Sequence, residues 1–188
     1  MELEENLTKT IFTSTINKSY RVIDIYLYHP INHILAQIPY IETLRSLKKD
    51  DIAKIHFNSI EGNTDTFITL FNHILLAEGE TQAYIHRTST YTSLLALTCN
   101  KIFVLPSAIF TLDLNKLSSI GFNNDTNKEP EKETLFEIID IVCPRVLSKE
   151  EIEELKKGKV FDFNSKELDK RLARYERKRS KNSKKSKE

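Results

Sequence analysis

The side chains best suited to covalent chemistry are the hydroxyls between residues 88 and 93. Ser89, Thr90 and Ser93 are each a candidate nucleophile. A hydroxyl acts as a nucleophile at neutral pH only beside a general base, because almost none of it is ionised on its own. The nearest histidine in the sequence is His86, at the end of an expected strand, where a structural hydrogen bond is the favoured interpretation. The sequence therefore supplies hydroxyls without an evident base.

The other residues of catalytic or metal-binding type are scattered. Cys99 and Cys143 form neither a CxxC motif nor a disulfide framework, which is typical of a reduced, intracellular protein. Cys99 is expected to be a buried small hydrophobe, and Cys143 has no histidine near it in sequence. The five histidines include no HExxH motif, and the four glycines cannot form GxGxxG or GxxxxGK[ST] loops. We therefore expect no metal and no cofactor.

Charge is unevenly distributed along the 188 residues, whose formal net charge is +1. Residues 173–188 hold eight Lys or Arg and two Glu, which leaves the other 172 residues with a net charge of −5. The segment 177–188 has no apolar side chain and is predicted to be a disordered basic tail. A solvated terminus is the favoured interpretation, and binding of nucleic acid or an acidic partner is the alternative. No apolar run approaches the ~20 residues of a membrane span, so we expect no membrane contact.

The hydrophobic pattern of the sequence predicts the strands and helices that position these side chains. The predicted strands are 22–28, 53–58, 81–86, 101–105 and 108–112, and the predicted helices are 38–48, one between Thr64 and Gly79, 93–99, 131–142, 149–157 and one from Asn164. Three helix ends carry capping signals: Thr64 or Asp65 with Gly79, Ser148 with Glu151, and Asn164 with Glu167. His56 alternates with apolar neighbours and is predicted to lie on a strand face. This order of elements implies an α/β fold with a largely parallel sheet.

The order of these elements and several short strings resemble the Clp protease proteolytic-subunit family, most of all the short forms carried by tailed bacteriophages. The strings are Ile25-Tyr26-Leu27-Tyr28-His29-Pro30-Ile31 at the first core strand, Asn58-Ser59-Ile60-Glu61-Gly62 for N-S-P-G-G, Arg87-Thr88-Ser89-Thr90-Tyr91-Thr92-Ser93-Leu94-Leu95 around the nucleophile, and Pro144-Arg145-Val146-Leu147-Ser148-Lys149-Glu150-Glu151 for the last segment. The resemblance covers roughly residues 22–172. It implies a Clp protease/crotonase-like fold, with stacked strand–strand–helix units and a handle helix.

The resemblance places the family's catalytic positions on residues unsuited to its chemistry. The family cleaves peptides with a serine, a histidine and an aspartate, and with backbone amides of a glycine-rich turn. The matching positions are Thr90, Asp113 and Pro144, with Glu61 and Gly62 in the oxyanion turn. A carboxylate of ordinary pKa is a weak base toward an alcohol, and a proline side chain accepts no hydrogen bond. The Glu61 carboxylate would repel a developing oxyanion, so we expect no catalytic residue.

The sequence thus indicates a non-catalytic Clp-protease-like subunit that acts as a scaffold in a ring-type homo- or hetero-oligomer. Its expected partners are copies of itself, an active Clp-like paralogue, an AAA+ unfoldase or phage head proteins. The expected location is the cytoplasm, or a virion if a phage encodes the chain. Two alternatives stay open. One is an active serine or threonine peptidase with a displaced site, and the other is an adaptor that binds nucleic acid or an acidic partner through its basic tail.

The predicted handle is the helix at 131–142. The chain divides around it into an N-terminal arm at 1–21, a single Clp-protease-like domain at 22–176 and the tail at 177–188. Leu135, Ile138, Ile139 and Val142 form one apolar face of this helix, and four such side chains are too apolar to remain in water. Because handles in the resembled family join subunits, we expect this face to pack against another subunit.

Overall fold

Strands and helices alternate along the chain, as the hydrophobic pattern predicted. The computed structural model describes residues 11–17, 20–59, 62–117 and 129–185. The strands are β1 (Ile11–Asn17), β2 (Tyr20–Leu27), β3 (Ile52–Ser59), β4 (Glu80–Thr88), β5 (Lys101–Leu112) and β6 (Phe161–Asn164). The helices are α1 (Ile34–Arg45), α2 (Thr64–Leu75), α3 (Thr90–Thr98), α4 (Glu129–Val142), α5 (Lys149–Lys156) and α6 (Ser165–Lys185). Among the described residues, 3₁₀ turns occur at Leu114–Lys116, after β5, and at Cys143–Arg145, directly after α4.

The six strands form one sheet in sequence order, β1-β2-β3-β4-β5-β6. The central strands β2 to β5 are parallel, and β1 and β6 pair antiparallel at the two edges. Parallel neighbours need a crossover, which α1, α2 and α3 supply between successive strands. The sheet confirms the predicted α/β fold. Residues 11–17 of the predicted arm form its edge strand, while the division into arm, domain and tail stays a prediction.

The two faces of the central strands differ. One face is aliphatic and fully buried, with Ile25, Ile55 and Ala83 in register across three strands. The opposite face carries a row of rings in register across four strands, and these rings are half-exposed or exposed. The rings of Tyr26, His56, Tyr84 and Phe103 stack with centroid distances of 4.5, 5.0 and 4.8 Å. We call this second surface the ring face, and His56 lies on it as predicted.

Both predicted ends of α2 were wrong. The capping residue is Asn63, not Thr64 or Asp65, because the Asn63 Oδ1 accepts hydrogen bonds from the backbone N–H groups of Asp65 (3.0 Å) and Thr66 (3.2 Å). The helix ends at Leu75, four residues before Gly79. Gly79 serves a close backbone contact instead of a helix end, since a Cβ there would lie 2.7 Å from the Asp51 carbonyl oxygen.

The region around Pro106 forms one strand, not the two predicted. Proline lacks the N–H that pairs with a neighbouring strand, so one short strand was expected on each side of Pro106. In the structure β5 continues through Pro106 while its pairing with β4 shifts register between Ile85 and Arg87. The shift lets the chain pass the proline without leaving the sheet.

The prediction that the apolar face of the handle helix packs against another subunit was wrong. Leu135, Ile138, Ile139 and Val142 are all buried within the chain itself, each at most 4% exposed. The helix α4 packs against α3 and α5 of its own chain. An amphipathic pattern requires that a face be covered, but it does not specify what covers it.

The C-terminal helices begin where the capping signals indicated. The Ser148 Oγ accepts from the Glu151 backbone N–H at 3.2 Å, and the Glu151 Oε2 accepts from the Ser148 N–H at 2.8 Å. The last helix, α6, continues to Lys185, past residue 177 where the sequence predicted disorder to begin. Neither Gly nor Pro interrupts this segment, and Lys, Arg and Glu are good helix formers. None of the described helices combines the length and apolar character needed to cross a membrane.

Candidate functional site

The candidate site lies at the carboxyl end of the parallel strands β4 and β5. Thr90 opens α3 directly after β4, and Asp113 follows β5. Ligands of open α/β sheets bind at this edge. A cavity of about 480 Å³ opens here, lined among others by Gly62, Arg87, Ser89, Thr90 and Lys116. The fold therefore keeps a cleft at the position where the sequence placed the nucleophile.

The Thr90 hydroxyl both donates and accepts a hydrogen bond, and both bonds are with backbone atoms of Asp113. The Thr90 Oγ1 donates to the Asp113 carbonyl oxygen at 2.8 Å and accepts from the Asp113 N–H at 3.0 Å. The residue is only 2% exposed. A nucleophile needs its proton directed to a base and its oxygen directed to substrate. Thr90 instead fastens the start of α3 to the end of β5.

The Asp113 carboxylate is used in a turn of its own. Its Oδ1 accepts from the backbone N–H and the side-chain Nδ2 of Asn115, both at 3.1 Å. The Lys116 Nζ lies 3.7 Å from its Oδ2. These contacts cap the 3₁₀ turn that follows β5. The structure thus brings Thr90 and Asp113 together through the backbone of Asp113, which has no basic group.

The two neighbouring serines are also held in the framework. The Ser93 Oγ lies 2.7 Å from the Thr88 Oγ1 and 2.7 Å from the Thr111 carbonyl oxygen, and Ser93 is fully buried. Ser89 is the N-cap of α3 and forms a capping box with Thr92. We call Thr88, Ser89, Thr90, Thr92 and Ser93 the hydroxyl corner. Their partners lie on β4, β5 and α3, so the corner joins three elements.

The Thr92 hydroxyl extends this network to a fourth element. The Thr92 Oγ1 lies 2.8 Å from the Ser59 carbonyl oxygen at the end of β3 and 3.0 Å from the Ser89 carbonyl oxygen. Sequence reasoning treated the hydroxyl-rich string as a catalytic motif with altered residues. The signal for its structural role was the concentration of Ser and Thr at a helix start, where such side chains bond to nearby backbone.

Of the remaining positions of the predicted site, Pro144 lies apart from the cleft and Gly62 lines it. Pro144 is exposed and lines a separate small cavity with Arg145 and Arg174. Glu61 lies outside the described residues. Gly62 does line the cleft, and a Cβ there would lie 2.8 Å from the Tyr91 ring. Its lack of a side chain thus permits close packing beneath the cleft.

The described histidines near the sheet serve the ring face. The His86 imidazole lies on β4, with its ring centroid 5.9 Å from those of Tyr28 and His56. The hydrogen bond expected for His86 is missing at Nε2, which is buried without a partner among the described residues. Burial, and secondly the proximity of His56, hold the pKa of His86 below its usual value. His86 does not line the cleft that Thr90 lines.

The cysteines are buried, as Cys99 was predicted to be. Burial raises the pKa of both the Cys99 and the Cys143 thiols to about 12. A thiol with so high a pKa holds almost no thiolate at neutral pH and is a poor nucleophile. Among the described residues, no group of three His, Cys, Asp or Glu side chains is arranged to hold a metal ion.

Comparison with known proteins establishes the fold alone. No protein-family model matches the sequence, and no curated protein is similar to it in sequence. Among solved structures, the chain is similar to the ClpP protease catalytic domain from Plasmodium falciparum, with a TM-score of 0.62 and 15% identity. The match covers 79% of this chain and 81% of that chain. The chain therefore has a ClpP-like fold, as the sequence resemblance predicted.

Proposed function

We propose that this chain is a non-catalytic subunit of a Clp-protease-like assembly and acts as a scaffold. One observation carries the proposal: the only described partner atoms of the Thr90 hydroxyl are the backbone N and O of Asp113. Catalysis by a hydroxyl requires an adjacent base that takes its proton. With Thr90 buried and bonded in this way, the ClpP-like fold is retained without the arrangement that would activate a nucleophile.

The same geometry disfavours a peptidase with a displaced site. Ser93 is buried between Thr88 and Thr111, and Ser89 is part of a helix cap. His86 contributes to the ring face and does not reach the cleft. Each alternative hydroxyl is thus built into the framework. We propose that the cleft has a structural origin: the residues of the hydroxyl corner that line it are retained because they stabilise the fold.

The ring face supports a role in assembly. Parallel sheets are normally covered on both faces, yet Tyr28, Phe103 and Ile109 on this sheet are more than 40% exposed. Exposed apolar and aromatic side chains on one surface mark contact sites for other proteins. We propose that another subunit covers the ring face, either a copy of this chain or an active Clp-like paralogue. An AAA+ unfoldase and phage head proteins are the further partners proposed, in the cytoplasm or a virion.

Activity measurements test the non-catalytic part. The purified chain is expected to hydrolyse neither casein nor fluorogenic peptides above background, and Thr90→Ala should leave that background unchanged. A fluorophosphonate probe should label none of Ser89, Thr90 and Ser93. Turnover that disappears in Thr90→Ala, or labelling of one hydroxyl of the corner, would contradict the proposal.

Native mass measurement tests the scaffold part, for the chain alone and after co-expression with its neighbouring genes. A particle larger than the monomer is expected in at least one case. The variant Phe103→Glu, on the ring face, should reduce that particle. The matched control is Leu76→Glu, which alters a side chain that is 78% exposed directly after α2. A monomer under all conditions, or an equal effect of both variants, would contradict the assembly role.

A further inference from the structure

The last helix carries a row of cations on the side opposite its packed side. In α6, Leu168 and Leu172 are buried against the body. At 100° per residue, six exposed cations fall within an arc of about 120° on the other side. They are Lys166, Lys170, Arg174, Arg177, Lys178 and Lys181. We call them the cation row, and at 1.5 Å rise per residue the row is about 22 Å long.

The side chains of the cation row form no close ion pair within the described part of the chain. No ion pair among the described residues includes a member of the row. One acidic side chain, Glu167, falls within the same arc, and it pairs with Arg171 at 2.8 Å. Asp169 and Glu176 lie outside the arc by the same helical geometry. Interaction with the helix dipole favours cations only in the last turn, so it does not account for Lys166 and Lys170.

A small cavity at the flank of the row gathers further cations. It has a volume of about 110 Å³, and Arg145, Arg171, Arg174 and Lys178 contribute to its lining. The Arg145 Nη1 donates to the carbonyl oxygens of Leu97 and Cys99, both at 2.6 Å. Arg171 donates to the Val146 carbonyl oxygen at 2.9 Å and to Glu151. Arg145 and Arg171 are thus held in place by the body, while Arg174 and Lys178 belong to the row. This small basic cavity, beside the cation row, is of a size and charge suited to a single phosphate group.

The chemistry of the row selects among anionic partners. A bilayer surface is disfavoured because the apolar side of α6 is already buried, and a membrane-bound helix must insert that side. A protein partner is disfavoured because the arc has no aromatic or large apolar side chain to form an interface core. Single-stranded nucleic acid is disfavoured for the same reason, since its binding sites stack bases on aromatic rings.

We propose that the cation row of α6 binds the sugar–phosphate backbone of double-stranded nucleic acid without sequence preference. The phosphates of a duplex present dense, regularly spaced negative charge, and neutralising them releases counterions. The surface is the exposed side of α6 between Lys166 and Lys181, which includes the first residues of the segment 177–188. The inference is independent of the proposed scaffold function, because it uses neither the cleft nor the ring face.

Fluorescence anisotropy with the full chain tests the proposal, using labelled 20-base-pair DNA duplexes of two unrelated sequences. Both duplexes should bind with equal affinity. The logarithm of the association constant should fall with the logarithm of salt concentration with a slope of about −4.5 to −5.5, as expected for five or six neutralised phosphates. Absence of binding at 50 mM salt, or a marked preference for one sequence, would overturn the proposal.

Charge-removal variants locate the surface. The variant Lys170→Gln/Arg174→Gln/Arg177→Gln/Lys178→Gln should weaken binding at least ~10-fold and flatten the salt slope by about 1 for each phosphate that is no longer neutralised. The control Arg45→Gln/Lys48→Gln/Lys49→Gln/Lys157→Gln removes four exposed cations from other elements and should weaken binding far less. Melting temperatures of both variants show whether they are folded. An equal loss in both variants would mean that net charge, not the row, binds the duplex.

Two further measurements separate the row from the other sources of binding. A chain that ends at Lys181 should retain more affinity than the four-glutamine row variant. If truncation abolishes binding while the row variant keeps it, residues 182–188 are the binding element and the proposal is wrong. Polyglutamate should compete with the duplex only weakly. Competition as strong as that of unlabelled duplex would assign the surface to an acidic polypeptide instead.

Discussion

The hydroxyl corner and the cation row both collect polar side chains, but they differ in where those side chains find partners. At the corner, Thr90 and Ser93 are buried and bonded to backbone atoms of neighbouring strands. On the row, Arg174 and Lys178 are exposed and take part in no ion pair among the described residues. A polar group whose bonds are satisfied inside the chain contributes to stability, whereas one left open is available to a ligand. The hydroxyl corner therefore stabilises the fold, whereas the cation row on α6 is the surface that we propose for binding.

Arg171 belongs to the same helix as the cation row, but its side chain faces the body of the chain. Its guanidinium donates to Glu151 at 2.9 and 3.0 Å, to Glu167 at 2.8 Å and to the Val146 carbonyl oxygen at 2.9 Å. It also lies over the Phe163 ring, 4.5 Å from the centroid. Position on the helix, not residue type, thus decides whether an arginine is structural.

The largest expected effect follows from removing this arginine. Arg171→Met removes the guanidinium that the Glu151 and Glu167 carboxylates and the Val146 carbonyl oxygen share, while Glu151 keeps the Ser148 N–H as a donor. Because these groups are only partly buried, the free energy of unfolding should fall by about 3 kcal/mol, the lower end for a broken buried pair. The control Arg174→Met, one turn away and exposed, should change it by less than about 0.5 kcal/mol. Urea denaturation measures both. Similar losses in the two variants would break the comparison.

The next effect is expected at the corner. Thr90→Val keeps the shape of the side chain, leaves the Asp113 N–H without its described partner and removes one of the two donors to the Asp113 carbonyl oxygen, the other being the Lys116 N–H at 3.4 Å. It should therefore lower the free energy of unfolding by about 1–3 kcal/mol. Thr90→Ser retains the hydroxyl and should be closer to wild type. Peptidase background should be the same in all three proteins. If Thr90→Val were as stable as wild type, the hydroxyl would not serve the structural role assigned to it.

The pH dependence of stability should separate the paired carboxylate from the open cations. The Arg171 guanidinium, more than any other group, holds the pKa of the Glu151 carboxyl below its usual value. A lowered pKa in the folded state means that this contribution is present above the unfolded value of ~4.3 and is lost as pH falls through the folded value. Unfolding measured between pH 7 and pH 3 should show a steeper loss in wild type than in Arg171→Met. Identical pH profiles would argue against the ion pair.

The smallest effect is expected on the row itself. The four-glutamine row variant should change the free energy of unfolding by less than about 0.5 kcal/mol, because exposed charges contribute little to stability. Removing like charges four residues apart, such as Lys170 and Arg174, even relieves a small repulsion. A clear destabilisation by differential scanning calorimetry would show that the row holds the fold and is not free for a ligand.

Much of the fold could be predicted because its signals are local. Alternating hydrophobicity located β2, β3 and β4 to within a few residues, and Ser148 with Glu151 located the start of α5. Such patterns depend on spacings of two to four residues along the chain. The ends of α2 and the continuity of β5 were missed, since they depend on Asn63 competing with Thr64 as a cap and on a register shift against β4.

The sequence alone shows which residue types stand at Thr90, Asp113 and Pro144 and that the C-terminal part is basic, because both statements depend only on residue identity. That these three positions match a serine, a histidine and an aspartate follows from the resemblance and stays a prediction. Only the tertiary structure decided that the backbone of Asp113 holds the Thr90 hydroxyl, and that α3 and α5 cover α4. A residue's type fixes which bonds it can make, but the partner comes from whichever element folding brings beside it. For that reason the residue types at these positions could be known from the sequence, and the structural use of the Thr90 hydroxyl could not.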